Sequence, residues 1–391
     1  MNIAIIHLYP FPIGMAATNR ILAYSKGMIA NGANVKVFCL NPYYKKGLYN
    51  IEQNGIYDGV PYEYFTNQYR SNNSIKHKFQ FVYSIIKSYF RLKKEFKENK
   101  IDCLIISSEK PFLLKMYSSL AKKYKKKSIF IFDEYPSCIR YTVDTQIINK
   151  TREKYNKALK DTTAFVSIVE LLADFYNKDL QKKCLIFPTI TDISKFPDEK
   201  DVVRSKNICY MGSLDLQKDN VQLIVEAFAK IHKKYDGLQF HIYGKSNAKD
   251  KKILEDTIAM HNLQDKIILK GPVSFEKVPG ILSSSIMLVS SQVNSQRIKG
   301  GLSTKLGEYL YSATPVLLSD VGWIKDYVND GEHLFLAEPG NVDKYAEKME
   351  MILQHYDRSL SIAKNGRQYI IENSSHIVMG NNLLNFINQL L

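Results

Sequence analysis

The sequence predicts an α/β protein of two doubly wound parallel-sheet domains, and three observations carry that expectation. At 391 residues the chain exceeds what a single hydrophobic core usually supports. Short apolar runs alternate with helical segments through both halves, the rhythm of a parallel sheet with crossover helices. Between the halves, residues 189–205 are polar and poor in regular pattern, which marks a linker.

Taken in order, NIAIIHL (2–8) reads as the first strand. The turn-rich YPFPIG follows, then a helical stretch from about Ala17 to Ala30 that ends at Asn31-Gly32. VKVFCL (35–40), DCLIIS (102–107), SIFIF (128–132), TAFVSI (163–168) and CLIFP (184–188) are the later strands of this half, with a helix through 112–124. This is a Rossmann-like start. The second set runs NICYMG (207–212), LQFHIYG (238–244), KIILKG (266–271), IMLVSS (286–291) and PVLLSD (315–320). Residues 360–391 are helical by pattern, and the closing LLNFINQLL needs a surface to cover it. The expected domains are therefore 1–190 and 191–371, with 372–391 packing back on the first.

Composition narrows the class. No apolar run approaches the ~18 residues of a membrane span, and the N-terminus lacks a basic leader. The five cysteines are scattered, with no close pair for a metal or redox motif, which fits reduced thiols in the cytoplasm. Charge is lopsided: residues 1–200 hold 32 Lys and Arg against 18 Asp and Glu, whereas the remainder hold 22 against 21. The first half should therefore meet something anionic, such as a lipid surface, a diphosphate-bearing acceptor or nucleic acid. Residues 76–100 add to this. Phe79, Val82, Ile85, Ile86, Tyr89 and Phe90 recur at helical spacing beside Lys76, Lys87, Arg91, Lys94 and Lys97. A helix that packs inward, with its basic face near anionic lipid, fits that pattern. A core-packed helix with a solvated basic face is the competing reading.

In open parallel sheets, ligands bind at the carboxyl ends of the strands, so those loops hold the candidates. The richest is RIKGGLSTKLGEYLYSATPVLLSDVG (297–322). Gly300 and Gly301 let an anion approach the backbone, and a helix opening at Ser303 would aim free N–H groups at it. One turn later, Glu308 could accept two ribose hydroxyls. An ordinary Ser-capped helix, with Glu308 a solvated first-turn acid favoured by the dipole, is the competing reading. After NICYMG, Lys218 could neutralise a diphosphate; a solvated lysine is the alternative. Pro272 and Val273, after KIILKG, could expose backbone groups to a base edge. In the first half, Gly14 and Arg20 follow the first strand and could hold a phosphate or sugar. Asp133 and Glu134 end a strand and could transfer protons, or merely cap a helix.

Together these motifs resemble family 4 of the nucleotide-sugar glycosyltransferases, of the two-Rossmann GT-B architecture. The resemblance runs from GMAATNRILAYSKGMIANGANVKVF through PTITDISKF to the end, and its most specific part is GGLSTKLGEYLYSATPVLLSDVG with GEHLFLAEPGNVDKYAEKM. It implies two domains facing a cleft, and retaining transfer of a UDP- or GDP-linked sugar to an acceptor held in the first domain; the basic excess of that half points to a glycan or polyprenyl-diphosphate-linked acceptor of a surface polysaccharide. It implies neither metal nor cofactor beyond the nucleotide sugar. Asp133, Lys218 and Lys305 are the implied catalytic residues, Asp133 standing where many members carry a histidine. Gly14, Gly212, Ser213, Gly244, Gly271, Pro272, Val273, Gly301, Leu302, Ser303, Thr304 and Glu308 would bind the donor, and Arg20 and Glu134 the acceptor. Three departures stand out: Gly300 replaces the first of two glutamates spaced by seven, Ser213 replaces an arginine, and Ala313-Thr314 replaces Gly-Lys. A cytoplasmic location with peripheral attachment to the inner face of the membrane is expected, without nucleic acid. The alternatives are a nucleotide-sugar epimerase of the same fold and a non-catalytic nucleic-acid-binding protein.

Overall fold

The computed structural model describes residues 1–47, 50–303 and 305–391. The chain divides into two compact units, Met1–Ile190 with His376–Leu391, and Thr191–Ser375.

The first unit runs β1 (Asn2–His7), α1 (Ala16–Ala30), β2 (Asn34–Cys39), β3 (Asn54–Tyr57), β4 (Val60–Tyr64), α2 (Ser74–Lys97), β5 (Cys103–Ser107), α3 (Pro111–Lys123), β6 (Lys127–Phe132), α4 (Thr145–Leu159), β7 (Ala164–Ser167), α5 (Glu170–Asn177) and β8 (Cys184–Ile186). Its sheet has the order β3-β4-β2-β1-β5-β6-β7-β8. Every ladder is parallel except β3–β4. The central strands are unbroken apolar runs because helices cover both faces: β5, CLIIS, is buried at all five positions. The β3–β4 hairpin was not anticipated. Asp58 and Gly59 both sit at positive φ between the paired Tyr57 and Val60, the conformation a two-residue hairpin turn demands.

The second unit runs β9 (Asn207–Met211), α6 (Val221–Ile231), β10 (Gln239–Tyr243), α7 (Ala248–Met260), β11 (Ile267–Gly271), α8 (Val278–Ser284), β12 (Met287–Ser290), α9 (Gln296–Lys299), α10 (Lys305–Tyr311), β13 (Val316–Ser319), β14 (Phe335–Ala337), α11 (Val342–Gln354) and α12 (Tyr356–Asn373). The order is β11-β10-β9-β12-β13-β14, parallel throughout. Asparagine side chains start three of its helices: Asn220 accepts from Leu223 N, Asn247 from Asp250 N and Asn341 from Lys344 N. Two cores flank the sheet, one centred on Ile208, Phe228 and Tyr345, the other on Leu288, Tyr309 and Leu310.

The last helix, α13 (His376–Asn388), belongs to the first unit and packs on α1. The two backbones meet at glycines: a Cβ on Gly27 would lie 1.9 Å from His376 O, and one on Gly380 would lie 2.1 Å from Gly27 C. Leu383, Leu384, Phe386 and Ile387 of the apolar C-terminal run enter the core of the first sheet.

Helix α2 departs from the inward packing expected of it. Its buried stripe is Ser84, Ser88, Leu92 and Phe96. The small serines allow close approach to α3, where the Ser88 and Tyr117 hydroxyls lie 2.6 Å apart and share a hydrogen bond. Phe79, Val82, Ile86 and Phe90 are instead exposed, while Ile85 and Tyr89 are half-buried.

Candidate active site

Because all strands of the second sheet run parallel, their carboxyl ends share one edge, and most of the donor-binding candidates lie in loops there. Gly212, after β9, donates to Tyr243 O at 3.1 Å, and Gly244, after β10, donates to Gly271 O at 3.0 Å. Gly244 sits at φ +144°, and a Cβ there would fall 1.7 Å from Gly212 O, so only glycine lets these two loops touch. A Cβ on Gly212 would meet Lys305 Nζ at 2.8 Å. Gly271 occupies a positive-φ turn with open space around it; Pro272 is exposed and Val273 half-buried.

Under these loops lies a polar cluster that sequence reasoning missed apart from Lys305. The Lys305 ammonium donates to Asp219 Oδ2 at 3.1 Å, Ser290 Oγ at 3.2 Å and Tyr210 OH at 3.3 Å, and rests over the Tyr210 ring. Tyr210 OH in turn donates to Asp219 Oδ2 at 2.9 Å or to Ser213 O at 2.7 Å. Asp219 is fully buried, and its Oδ1 has no hydrogen-bond partner among the described residues. Burial depresses the Lys305 pKa, the Asp219 carboxylate opposes this, and the charges of Lys218 and Arg297 add to the depression. Lys218 and Arg297 thus lie within electrostatic reach of the Lys305–Asp219 pair. Lys305 is held in place by its partners, whereas Lys218 is half-buried on the adjoining turn, where its N–H donates to Asp215 O.

The loop before α10 differs from the sequence expectation. A short helix, α9, precedes it, and α10 has only seven residues, so its dipole is a small contribution. Gly300 takes φ −100°, which any residue can adopt. Gly301 is buried, Leu302 and Ser303 are half-buried, and the Ser303 carbonyl accepts from Leu306 N at 3.0 Å. Thr304 lies outside the described residues. Leu302, Ser303 and Lys305 line a small cavity together with Ser290, Gln292 and Ser319. Glu308 follows, half-buried, and desolvation lifts its carboxyl to about 7; Lys195 works against this shift and Asp192 with it. Behind it, Tyr309 OH accepts from Met211 N at 2.9 Å and ties α10 to the end of β9.

In the first unit the structure joins two further candidates. Arg20 is buried: its guanidinium donates to Tyr24 OH, Phe187 O and Pro188 O, and its Nε lies 3.4 Å from Asp133 Oδ1. Burial raises the Asp133 pKa, Arg20 opposes the rise and Glu134 adds to it. Glu134 pairs with Arg140 at 2.8 Å, and Arg140 also reaches Glu109 at 3.6 Å. Arg140 carried no sequence signal, being one of many basic residues in this half. Gly14 has a local structural reason, since a Cβ there would collide with Thr18 Oγ1, which donates to Pro10 O.

Comparison with known proteins bears on both fold and site. Residues 205–355 match the family model described as Glycosyl transferases group 1, a span that holds Gly212, Lys218, Ser303, Lys305 and Glu308. The chain is 24% identical over 355 residues to the poly(ribitol-phosphate) alpha-N-acetylglucosaminyltransferase of Staphylococcus aureus (strain COL), covering 86% of this chain and 68% of that protein. Its fold is similar to sucrose-phosphate synthase from Thermosynechococcus elongatus, with TM-score 0.73 at 14% identity over 100% of this chain and 98% of that one. It is equally similar to Anabaena HepE in complex with UDP and glucose, with TM-score 0.73 at 12% identity over 100% of both chains. The fold is GT-B. The chain is a glycosyltransferase, and it is its segment 205–355 that matches the group 1 family model.

Proposed function

We propose that the protein transfers a sugar from a nucleotide-diphosphate sugar, UDP- or GDP-linked, to a phosphate-bearing glycan or polyprenyl-diphosphate-linked acceptor of a surface polysaccharide, with retention of anomeric configuration and without a metal ion. The observation that carries this reading is that the turn bearing Lys218 and the helix bearing Lys305 and Glu308 follow the paired parallel strands β9 and β12, inside the segment that matches the family. UDP occupies a protein of similar fold, and a relative acts, by its name, on a poly(ribitol phosphate).

In this mechanism the bond between the sugar's anomeric carbon and the β-phosphate oxygen breaks as the acceptor hydroxyl oxygen bonds to that carbon on the same face; negative charge grows on the phosphate, and the nucleoside diphosphate leaves with the hydroxyl proton. Lys218 meets the charge directly, with backbone groups around Gly301–Ser303 as further donors. Lys305 acts by positioning: paired with Asp219, it sets the 213–220 turn against α10. Glu308, ionised, accepts the ribose hydroxyls. Asp133, restrained by Arg20, and Glu134 orient the acceptor hydroxyl in the first unit. The basic excess of residues 1–200 draws the anionic acceptor and favours peripheral attachment to the inner face of the cell membrane from the cytoplasm. The epimerase and nucleic-acid alternatives find no support in the family match.

A thermal-shift screen against UDP, GDP and their common sugar conjugates, followed by turnover with and without EDTA, tests the proposal. Stabilisation by one nucleotide family and metal-free turnover are expected. No stabilisation by any nucleotide would overturn the donor site, and strict dependence on Mg²⁺ or Mn²⁺ would overturn the cationic mechanism.

A further inference from the structure

We propose that the outward face of α2 seats the protein on an anionic lipid bilayer. This rests on the membrane attachment proposed above and names the surface that makes it. Ile75, Phe79, Val82, Tyr83, Ile86 and Phe90 are each 48–71% exposed. At 100° per residue they fall within a stripe about 100° wide, running roughly 22 Å along the helix. The opposite face already anchors α2 through Ser84, Ser88, Leu92 and Phe96. The outward stripe therefore keeps about half or more of its surface in solvent, and so many apolar side chains on one exposed face need another explanation.

Charge identifies the occupant. Between Ser74 and Lys94 the sequence holds Lys76, Lys78, Lys87, Arg91, Lys93 and Lys94 and not one acid. Lys76, Lys87 and Lys94 fall along one border of the stripe by helical spacing, and Lys97 closes its end. An apolar strip bordered by lysines matches the depth profile of an anionic leaflet, with side chains in the acyl boundary and ammonium groups among the phosphates. A second copy of the chain would set the same lysines against each other. A phosphate polymer alone would leave Ile75, Val82 and Ile86 without a use. From the first turn of α2 to its middle, Lys76, Phe79, Tyr83 and Lys87 line an open groove with Phe65 and Asn67, which offers both a cationic and an aromatic wall to a headgroup.

The test is flotation of the full chain with phosphatidylcholine vesicles, with and without phosphatidylglycerol, at low and high salt. Binding to the anionic vesicles only, weakened by salt, is expected. Phe79→Ser combined with Ile86→Ser should weaken it about a hundredfold, since each exposed apolar anchor is worth roughly tenfold in partition. Lys76→Gln with Lys87→Gln should remove much of the salt dependence. Nucleotide thermal shifts measured on the same samples should not change, which separates failure of this inference from failure of the donor site. Flotation of the serine variant equal to the parent would overturn the proposal. So would a parent that ignores vesicles yet self-associates through this face, with the serine variant monomeric.

Discussion

Glu308 offers the sharpest test of the donor site, because its environment sets a pH at which nucleotide binding should change. Desolvation lifts its carboxyl from 4.5 to about 7, against the pull of Lys195. If only the ionised form grips the ribose, the apparent affinity scales with the ionised fraction. With a titration near 7, that fraction falls about tenfold between pH 8 and pH 6. The assay is calorimetric titration with a nucleotide sugar, whose diphosphate carries no ionisation in this range, so the slope belongs to the protein. Glu308→Gln should bind about tenfold more weakly at pH 8, having lost a charged acceptor, and show no slope. Stability supplies an independent check of opposite sign. Because the folded pKa is raised, the native state holds more protons than the unfolded chain between about pH 4.5 and 7, and unliganded stability falls as pH rises through that window. The loss is at most about 3 kcal/mol, less whatever solvent reaches the group. A pH-independent affinity in the parent, or an undiminished slope in the glutamine variant, would refute the argument.

Other outcomes follow from the same geometry. Lys218→Ala should lower turnover by about 10²–10³ with an unchanged melting temperature, and near-normal turnover would remove it from the mechanism. Lys305→Ala should show the opposite balance: it strands the buried Asp219 carboxylate, at about 3–5 kcal/mol in a denaturant titration, so a melting temperature equal to the parent's would contradict the positioning role. Gly244→Ala, forced to φ +144° and against Gly212 O, should abolish nucleotide stabilisation; a normal thermal shift would show that the two loops need not touch. Gly27→Ala drives a Cβ into His376 O and should loosen α13, seen as faster proteolysis of the C-terminal helix, with resistance equal to the parent's arguing against the close crossing.

How much of this was legible in the sequence depends on the kind of signal. Strands such as CLIIS and NICYM announce themselves because both faces are buried, and the observed bounds differ from the expected ones by a residue or two. The β3–β4 hairpin was missed even though Asp58-Gly59 is a strong turn signal, because β3 is only four residues long, buries none of them and lies at the sheet edge. Glu308, Lys218 and Lys305 stand out in the sequence through spacing and resemblance. The partners of Lys305 do not: Tyr210, Ser290 and Asp219 come from three separate stretches, and only the fold brings them onto its ammonium. Arg20 shows the limit in another form. A lone arginine on a helix reads as a solvated group, yet the carbonyls of Phe187 and Pro188, more than 160 residues away, give it a buried use.

Helix α2 carries the lesson furthest. Periodicity locates a stripe but does not say which of two stripes faces the protein. Phe79, Val82, Ile86 and Phe90 form the more apolar one, and transfer free energy alone would bury it. The stripe that is buried contains two serines, because α3 approaches closely and Tyr117 satisfies Ser88. Folding thus leaves the more hydrophobic face to the solvent, at a cost that a soluble protein has no reason to carry. The side of α2 that local pattern misassigned is for that reason the side to which the membrane proposal attaches. A vesicle-bound protein whose α2 stayed fully accessible to a water-soluble quencher would break that connection.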